Sequence, residues 1–546
     1  MSIRRIFLPV LLVLILALSS VPGFSHSVSG HLNLGNVQSA IAAVSSPSTY
    51  TLYLPTIATA SSPYTLYLPL VSNRFPLETV FGVEMDQITT SGGLDQVAMA
   101  NTTWVRRNGV LWADVEPNEG ARNWGKLSGI EQELKDASVN NLQVILVVRK
   151  TPVWAQKISG PAANCGPIIS EKLEAFGNFM YDLVSRYSPP PYNVKYWEIW
   201  NEPDVSPELA AFMYGGTIPF GCWGDSTDPY YGGGYYAEML KAVYPRIKAA
   251  DPQAQVLVGG LLLDCDPRGS PSICTTVGHD DRTPKFLEGI LRNNGGAYFD
   301  GVGFHVYDYY NGALGQYSLW TWNSAWNTTG SATIAKARFI KEVLGAYNIS
   351  DKFIMNTETA IVCGGFEDPP GQPPCESEPT SPFEQTKAYY LAQVYAAAIA
   401  EGLRANIWYS VLGWRNSGMF SSDLTLPLKT FASEFSPTAQ NSGLLTSSGT
   451  PRPAYYAYLF SRSELRDASF VGDIVSADIG GVSGVKGYKF NRGDRTIWLL
   501  WSLDGSSHDI TFSSAPLAAW DALGNSVTPA TSMNVYLKPL YLEWNP

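Results

Sequence analysis

The sequence predicts an α/β fold: a (β/α)8 TIM barrel followed by a C-terminal antiparallel β-sandwich domain. Two observations lead there. From Thr79 onward, short β-branched and aromatic runs alternate with longer helix-period stretches, the pattern of βα units on a parallel sheet, and eight such runs can be counted. After Arg466 the helical stretches stop, and short alternating runs divided by turn residues take over, as in a small sandwich. A doubly wound sheet fits less well, because no Gly-rich phosphate turn follows the first strand.

Taken in order, Arg4 and Arg5 precede an apolar stretch from Ile6 to Leu18, and small residues around Gly23 and Ser25 supply a cleavage site. Residues 1–25 therefore read as a signal peptide, and the protein as secreted, periplasmic or displayed at the cell surface. The apolar run is short and contains Pro9, which argues against a retained membrane anchor. Residues 26–78 form a Ser/Pro-rich linker that carries one phrase twice, Tyr50-Thr-Leu-Tyr-Leu-Pro55 and Tyr64-Thr-Leu-Tyr-Leu-Pro69. Two copies are too few for a solenoid.

The barrel domain is expected over 79–466. Its strands are read at Val80–Glu84, Thr103–Arg107, Val144–Val148, Val194–Asn201, Gln255–Val258, Gly301–Tyr307, Phe353–Glu358 and Asn406–Tyr409, with a closing helix over Arg452–Leu465. The sandwich is expected over 467–546. Its strands are read at Gly487–Asn491, Thr496–Trp501, Asp509–Phe512, Ala519–Gly524, Asn534–Lys538 and Leu540–Trp544.

Chemistry is expected where barrel strands end, because catalytic side chains collect on the C-terminal face of such barrels. The fourth strand breaks at Asn201-Glu202-Pro203, since proline can neither donate to the ladder nor extend it. A carboxyl group at Glu202, walled by Trp197 and Trp200, is desolvated and can keep its proton near neutral pH. Glu358 ends the seventh strand and is its natural partner. Two carboxyl groups facing across a sugar are the usual equipment of glycoside hydrolysis. Strict alternation would turn Asn201 and Glu202 to opposite faces, so a bend or bulge is expected there. The same alternation puts Glu198 inside the barrel, where it needs a cationic or hydrogen-bonding partner. Glu84, which ends the first strand, is a further substrate-contact candidate. Asp114, Glu116, Asp204 and Asp308 read as solvated or loop-structural carboxylates.

Trp200-Asn-Glu-Pro203 on one strand and Thr357-Glu358 ending another resemble the acid/base and nucleophile strands, fourth and seventh, of clan A retaining glycoside hydrolases. Family 39 is nearest in flavour, with families 5, 30 and 42 as neighbours, and the resemblance runs from Thr79 to the C-terminus. It implies Glu202 as acid/base, Glu358 as nucleophile and Asn201 as the holder of the sugar 2-hydroxyl. By the same resemblance, Tyr307 of the His305-x-Tyr307 pair donates to the nucleophile. Arg106, preferred over its neighbour Arg107, supports that carboxylate, and Trp408 floors the sugar site. The implied activity is that of a retaining β-glycosidase without cofactor, acting on oligosaccharide, polysaccharide or glycoside. An endo-acting glycanase on the same scaffold and a catalytically dead carbohydrate-binding barrel are the alternatives.

Net charge excludes some partners, while neutral carbohydrate is indifferent to it. At −11 the chain is not drawn to nucleic acid or to an anionic membrane surface. All six cysteines fall in loops after strands, and an even count in an exported chain reads as disulfides. Their arrangement suggests Cys165–Cys222, Cys265–Cys274 and Cys363–Cys375. No Cys-x-x-Cys or clustered Cys/His spacing points to a metal.

Overall fold

The computed structural model describes residues 79–546 apart from 215–219, 269–271, 277–279, 311, 319–325, 327–329, 364–380, 413–441 and 494. The expected signal peptide, the linker with its duplicated phrase, and Cys375 of the third disulfide lie outside the described residues.

Eight strands close into a parallel barrel: β1 (Phe81–Glu84), β2 (Trp104–Leu111), β3 (Gln143–Arg149), β4 (Tyr196–Asn201), β5 (Gln255–Leu261), β6 (Gly301–Tyr310), β7 (Phe353–Cys363) and β8 (Ala405–Trp408). Each pairs with the next in chain order, and β8 returns to β1, so the sheet has no open edge. Every run expected as a barrel strand is one, but β2 and β5 continue to Leu111 and Leu261, past their expected ends, and β6 and β7 likewise continue to Tyr310 and Cys363. The last two pair with each other along that extension, from His305↔Glu358 to Tyr310↔Cys363. The extended hairpin side of β6 is covered by a short antiparallel strand, Tyr317–Ser318.

Inward and outward side chains separate into two apolar clusters. Trp104, Ile145, Tyr196, Leu257, Met355, Ala405 and Ile407 fill the barrel's interior, with Trp104 edge-on to Tyr196 at 4.8 Å between ring centroids. Their neighbours in sequence face the helices, as period-two alternation requires. The helix Leu173–Tyr187 buries Phe176, Phe179, Met180, Leu183, Val184 and Tyr187, spaced three and four apart on one face. It lies close to the helix Gly233–Ala250 because Gly177 has no side chain: a Cβ there would fall 2.8 Å from the Ala242 carbonyl oxygen.

The C-terminal region forms a six-stranded antiparallel sheet and a two-stranded one around a small core that includes Leu500, Ile510, Met533, Val535 and Leu542. Its strands are β9 (Ser469–Asp473), β10 (Val485–Asn491), β11 (Thr496–Ser502), β12 (His508–Thr511), β13 (Ala518–Asp521), β14 (Ser526–Val527), β15 (Ser532–Val535) and β16 (Leu540–Trp544). β9 was not legible in the sequence, since it is an edge strand exposed along most of its length and lacks an apolar face. The helix Pro453–Leu465 fastens this region to the barrel. Phe460 meets Tyr541 edge-to-face at 5.1 Å, Ser461 and Tyr541 share a 2.8 Å hydrogen bond, and Arg492 bridges Glu464 and Glu543.

Candidate active site

Two residues above the interior apolar layer, three inward positions become polar: Arg106 after Trp104, Glu198 after Tyr196 and Thr357 after Met355. Alternation from Trp104 carries Arg106 inward and Arg107 outward, where Arg107 pairs with Glu133 of the surrounding helix at 2.7 Å. Arg106 has no exposed surface and organises the site. Its Nε and Nη2 donate to the two oxygens of Glu198 at 2.8 and 3.2 Å, Nη2 also donates to Asn201 Oδ1 at 2.6 Å, and Nη1 donates to Glu84 at 2.6 Å and Glu358 at 2.5 Å. Glu198 therefore has the cationic partner that its burial demands. It also accepts from the Gly260 backbone N–H at 2.6 Å and from Thr357 Oγ1 at 3.3 Å, which makes it a structural anion.

The bend expected at the end of β4 is present as two non-glycine residues in the left-handed region, Trp200 at φ 67° and Glu202 at φ 49°. They flank Asn201, so Trp200 packs outward against Phe176 and Trp223 while both Asn201 and Glu202 reach the barrel's mouth. Asp204 fixes the turn by accepting the N–H groups of Leu262 and Leu263 at 2.8 and 2.9 Å.

Glu202 and Glu358 meet there. His305 Nδ1 lies 2.8 Å from Glu202 Oε1 and 3.5 Å from Glu358 Oε2, and one donor atom from each of the three residues falls within 4.8 Å of the others. Tyr307 donates its hydroxyl to Glu358 Oε2. The two glutamates are thus chemically alike and differently supported. Glu358 accepts from both Arg106 and Tyr307, and each of these bonds favours its ionised form against the burial that raises it. Glu202 has the His305 ring instead, and burial, then the Glu358 and Asp204 charges, push it well above the carboxylate range. Burial, Arg106 and Lys336 hold His305 neutral by pushing it well below its usual range. The ring fills space that a side chain at residue 260 would need: a Cβ on Gly260 would lie 2.0 Å from His305 Nε2.

Trp408 does not occupy the place expected of it. Ala405 and Ile407 point inward, so Trp408 points outward, has no exposed surface, packs near Tyr390 and donates its indole N–H to the Ser442 carbonyl. Its ring faces are committed to the core. The next inward aromatic is Tyr409, partly exposed and edge-to-face with Tyr307 at 5.9 Å. Alternation alone contained that answer. The remaining carboxylates are structural, Glu116 holding Trp112, Gly120 and Arg122, Asp114 pairing with Lys150, and Asp308 accepting from Tyr390 and the Ala332 N–H.

Among the described residues, Glu202, His305 and Glu358 are also the group whose donor atoms come close enough to hold a metal ion. The cationic Arg106, directly on Glu358, opposes a second positive charge there. Cys165–Cys222 and Cys265–Cys274 are formed. The first ties the loop after β3 to the loop after β4 beside the Trp200 turn, where Trp200 Nε1 donates to the Cys165 carbonyl. No helix among the described residues is long and apolar enough to cross a membrane.

No family model and no curated protein matches the sequence. Solved structures do. A family 39 glycoside hydrolase from Bacteroides cellulosilyticus superposes with a TM-score of 0.58 at 18% identity, over 86% of this chain and 81% of that one. A GH30 endoxylanase from Clostridium papyrosolvens gives 0.50 at 12% identity over 86% and 97%, and the catalytic domain of GH30 xylanase C from Talaromyces cellulolyticus 0.50 at 14% over 86% and 96%. This chain has their fold. At such identities the likeness speaks for the barrel alone, and chemistry resides in the site rather than in the fold.

Proposed function

We propose that this protein is a retaining glycoside hydrolase, exported and acting on β-linked carbohydrate by double displacement. The observation that carries the reading is the proximity of Glu202 and Glu358 in unlike environments. Their oxygens approach within 4.8 Å, in keeping with the short carboxyl separation of retaining enzymes, roughly 5–5.5 Å, rather than the roughly 6.5–9.5 Å that leaves room for an inverting water.

Glu358, ionised and held by Arg106 and Tyr307, attacks the anomeric carbon as the glycosidic bond breaks, and the proton of Glu202 passes to the departing oxygen. Glu202, now a carboxylate, takes a proton from water. That water's oxygen bonds to the anomeric carbon and Glu358 leaves. Neutral His305 steadies Glu202 without competing for a positive charge. Asn201, its Oδ1 fixed by Arg106, turns its amide N–H groups to hydroxyls of the bound sugar. Tyr409 offers a ring beside Tyr307 for the sugar's apolar face.

A panel of aryl β-glycosides, run with wild type and Glu358→Gln, tests the reading. Turnover with retained anomeric configuration is expected from the wild type. A 2-fluoro substrate analogue should leave a covalent adduct on Glu358 in the peptide mass map. Normal turnover by Glu358→Gln, or an inverted product, would overturn it.

A further inference from the structure

The mechanism above uses two of the four inward glutamates and assigns Glu198 to Arg106. Glu84, at the mouth end of β1, is left over. It is 4% exposed and directed at the same nitrogen that serves the nucleophile, Arg106 Nη1, at 2.6 Å against 2.5 Å for Glu358. Two carboxylate oxygens on one nitrogen are no more than about 5 Å apart, too close in a buried site for both to carry charge without loss.

Resting on the glycosidase reading, we propose that Glu84 is a positioning residue: it keeps a proton while sharing Arg106 Nη1 with Glu358, and so leaves the guanidinium charge to the nucleophile. The choice between the two follows from their partners. Among the described residues Glu358 accepts from Arg106 and Tyr307, whereas Glu84 accepts from Arg106 alone. The less supported carboxyl group takes the proton. The charged groups facing Glu84 agree. Burial pushes it up to about 8 even against Arg106, with Glu358 and Asp86 adding repulsion, and Arg149 on β3 is the other cation within its field. A protonated Glu84 still accepts from Nη1 through its carbonyl oxygen.

The test is the acid limb of kcat/KM, which reports ionisation of Glu358. If Glu84 is already neutral, Glu84→Gln and the apolar Glu84→Met leave that limb within a few tenths of a pH unit of wild type, since no charge has been removed. An ionised Glu84 would, on removal, drop the limb by about two units, from the interaction of charges about 5 Å apart at an effective dielectric near 20. That drop in either variant would overturn the proposal. Infrared difference spectra of the wild type and Glu84→Gln provide a readout independent of turnover. A carboxylic acid C=O band lost between pH 7 and 9 in the wild type and missing from Glu84→Gln is expected, and a wild type without it refutes the proposal. A protein that turned over no glycoside would sink the glycosidase reading while leaving the infrared result to decide on Glu84.

Discussion

Replacing Arg106 by lysine measures how much of the site one guanidinium assembles. Arg106 donates five hydrogen bonds to Glu84, Glu198, Glu358 and Asn201 from three nitrogens arranged in a plane. An ammonium has three donors radiating from one atom and cannot span Glu198 and Glu358 together, so at least two bonds are lost. At about 1.5–3 kcal/mol for each bond to a charged group, the loss is about 3–6 kcal/mol, reduced as the abandoned carboxyl groups take up protons. Those groups then have folded pKa values above their unfolded ones. Such carboxyls destabilise the native state increasingly as pH rises above the ordinary carboxylate range, so the deficit should be larger at pH 7 than at pH 5. Urea denaturation at the two pH values, beside aryl glycoside kinetics, is the assay. We expect a stability loss of about 3 kcal/mol or more at pH 7, an acid limb moved upward because Glu358 has lost a donor, and kcat/KM down by at least about a hundredfold. Arg107→Lys, on the outer face against Glu133, is the control and should cost about 1 kcal/mol with no change in the pH profile. Equal behaviour of the two variants would refute the argument that Arg106 organises the mouth.

Two further substitutions separate packing from ligand contact. Trp408→Ala should lose about 3–5 kcal/mol of stability while the folded fraction keeps most of its turnover; Tyr409→Ala should do the reverse, with kcat/KM down about tenfold or more, as denaturation and kinetics on the same preparations would establish. Among the disulfides, removing Cys165–Cys222 (separation 57) should cost about 4 kcal/mol on chain-entropy grounds, and removing Cys265–Cys274 (separation 9) about 2.6 kcal/mol. Non-reducing denaturation of the double serine variants checks the order. The first should also lower activity, since it braces the turn that carries Glu202.

The barrel was legible because eight apolar runs alternate with helix-period stretches, and the interior layer follows from side-chain alternation along those runs. Alternation also sends only one of Arg106 and Arg107 inward, the preference for Arg106 coming from the resemblance, and it demands a partner for Glu198. At β8 alternation and resemblance disagree: the resemblance implies Trp408, whereas Ile407 pointing inward requires its neighbour to point out. The extensions of β6 and β7 are missed because each strand is read as ending at its site residue, Tyr307 or Glu358, although both go on pairing with each other and the β7 extension is itself apolar, with Ala360 and Ile361 in the core. The sharing of Arg106 by four side chains from three other strands was not legible either. That depends on how high each inward position sits in the closed barrel, which the register of pairing decides and a single strand's sequence does not display.

Register also explains how two identical side chains come to differ. Parallel pairing places Glu84 beside Arg106, and His305 beside Glu358, at one height of the barrel. Glu358 therefore arrives among donors supplied by its neighbours. Glu202 arrives by another route, through two left-handed residues that lift the end of β4 out of its pleat, and so beyond reach of the guanidinium that binds Asn201 one residue earlier. Such backbone is costly for residues with a Cβ, by about 1–3 kcal/mol each. It persists because Asp204, the Cys165–Cys222 bridge and the burial of Trp200 hold the turn from three sides. On the proposed reading, the separation of proton donor from nucleophile thus rests on the strained end of one strand.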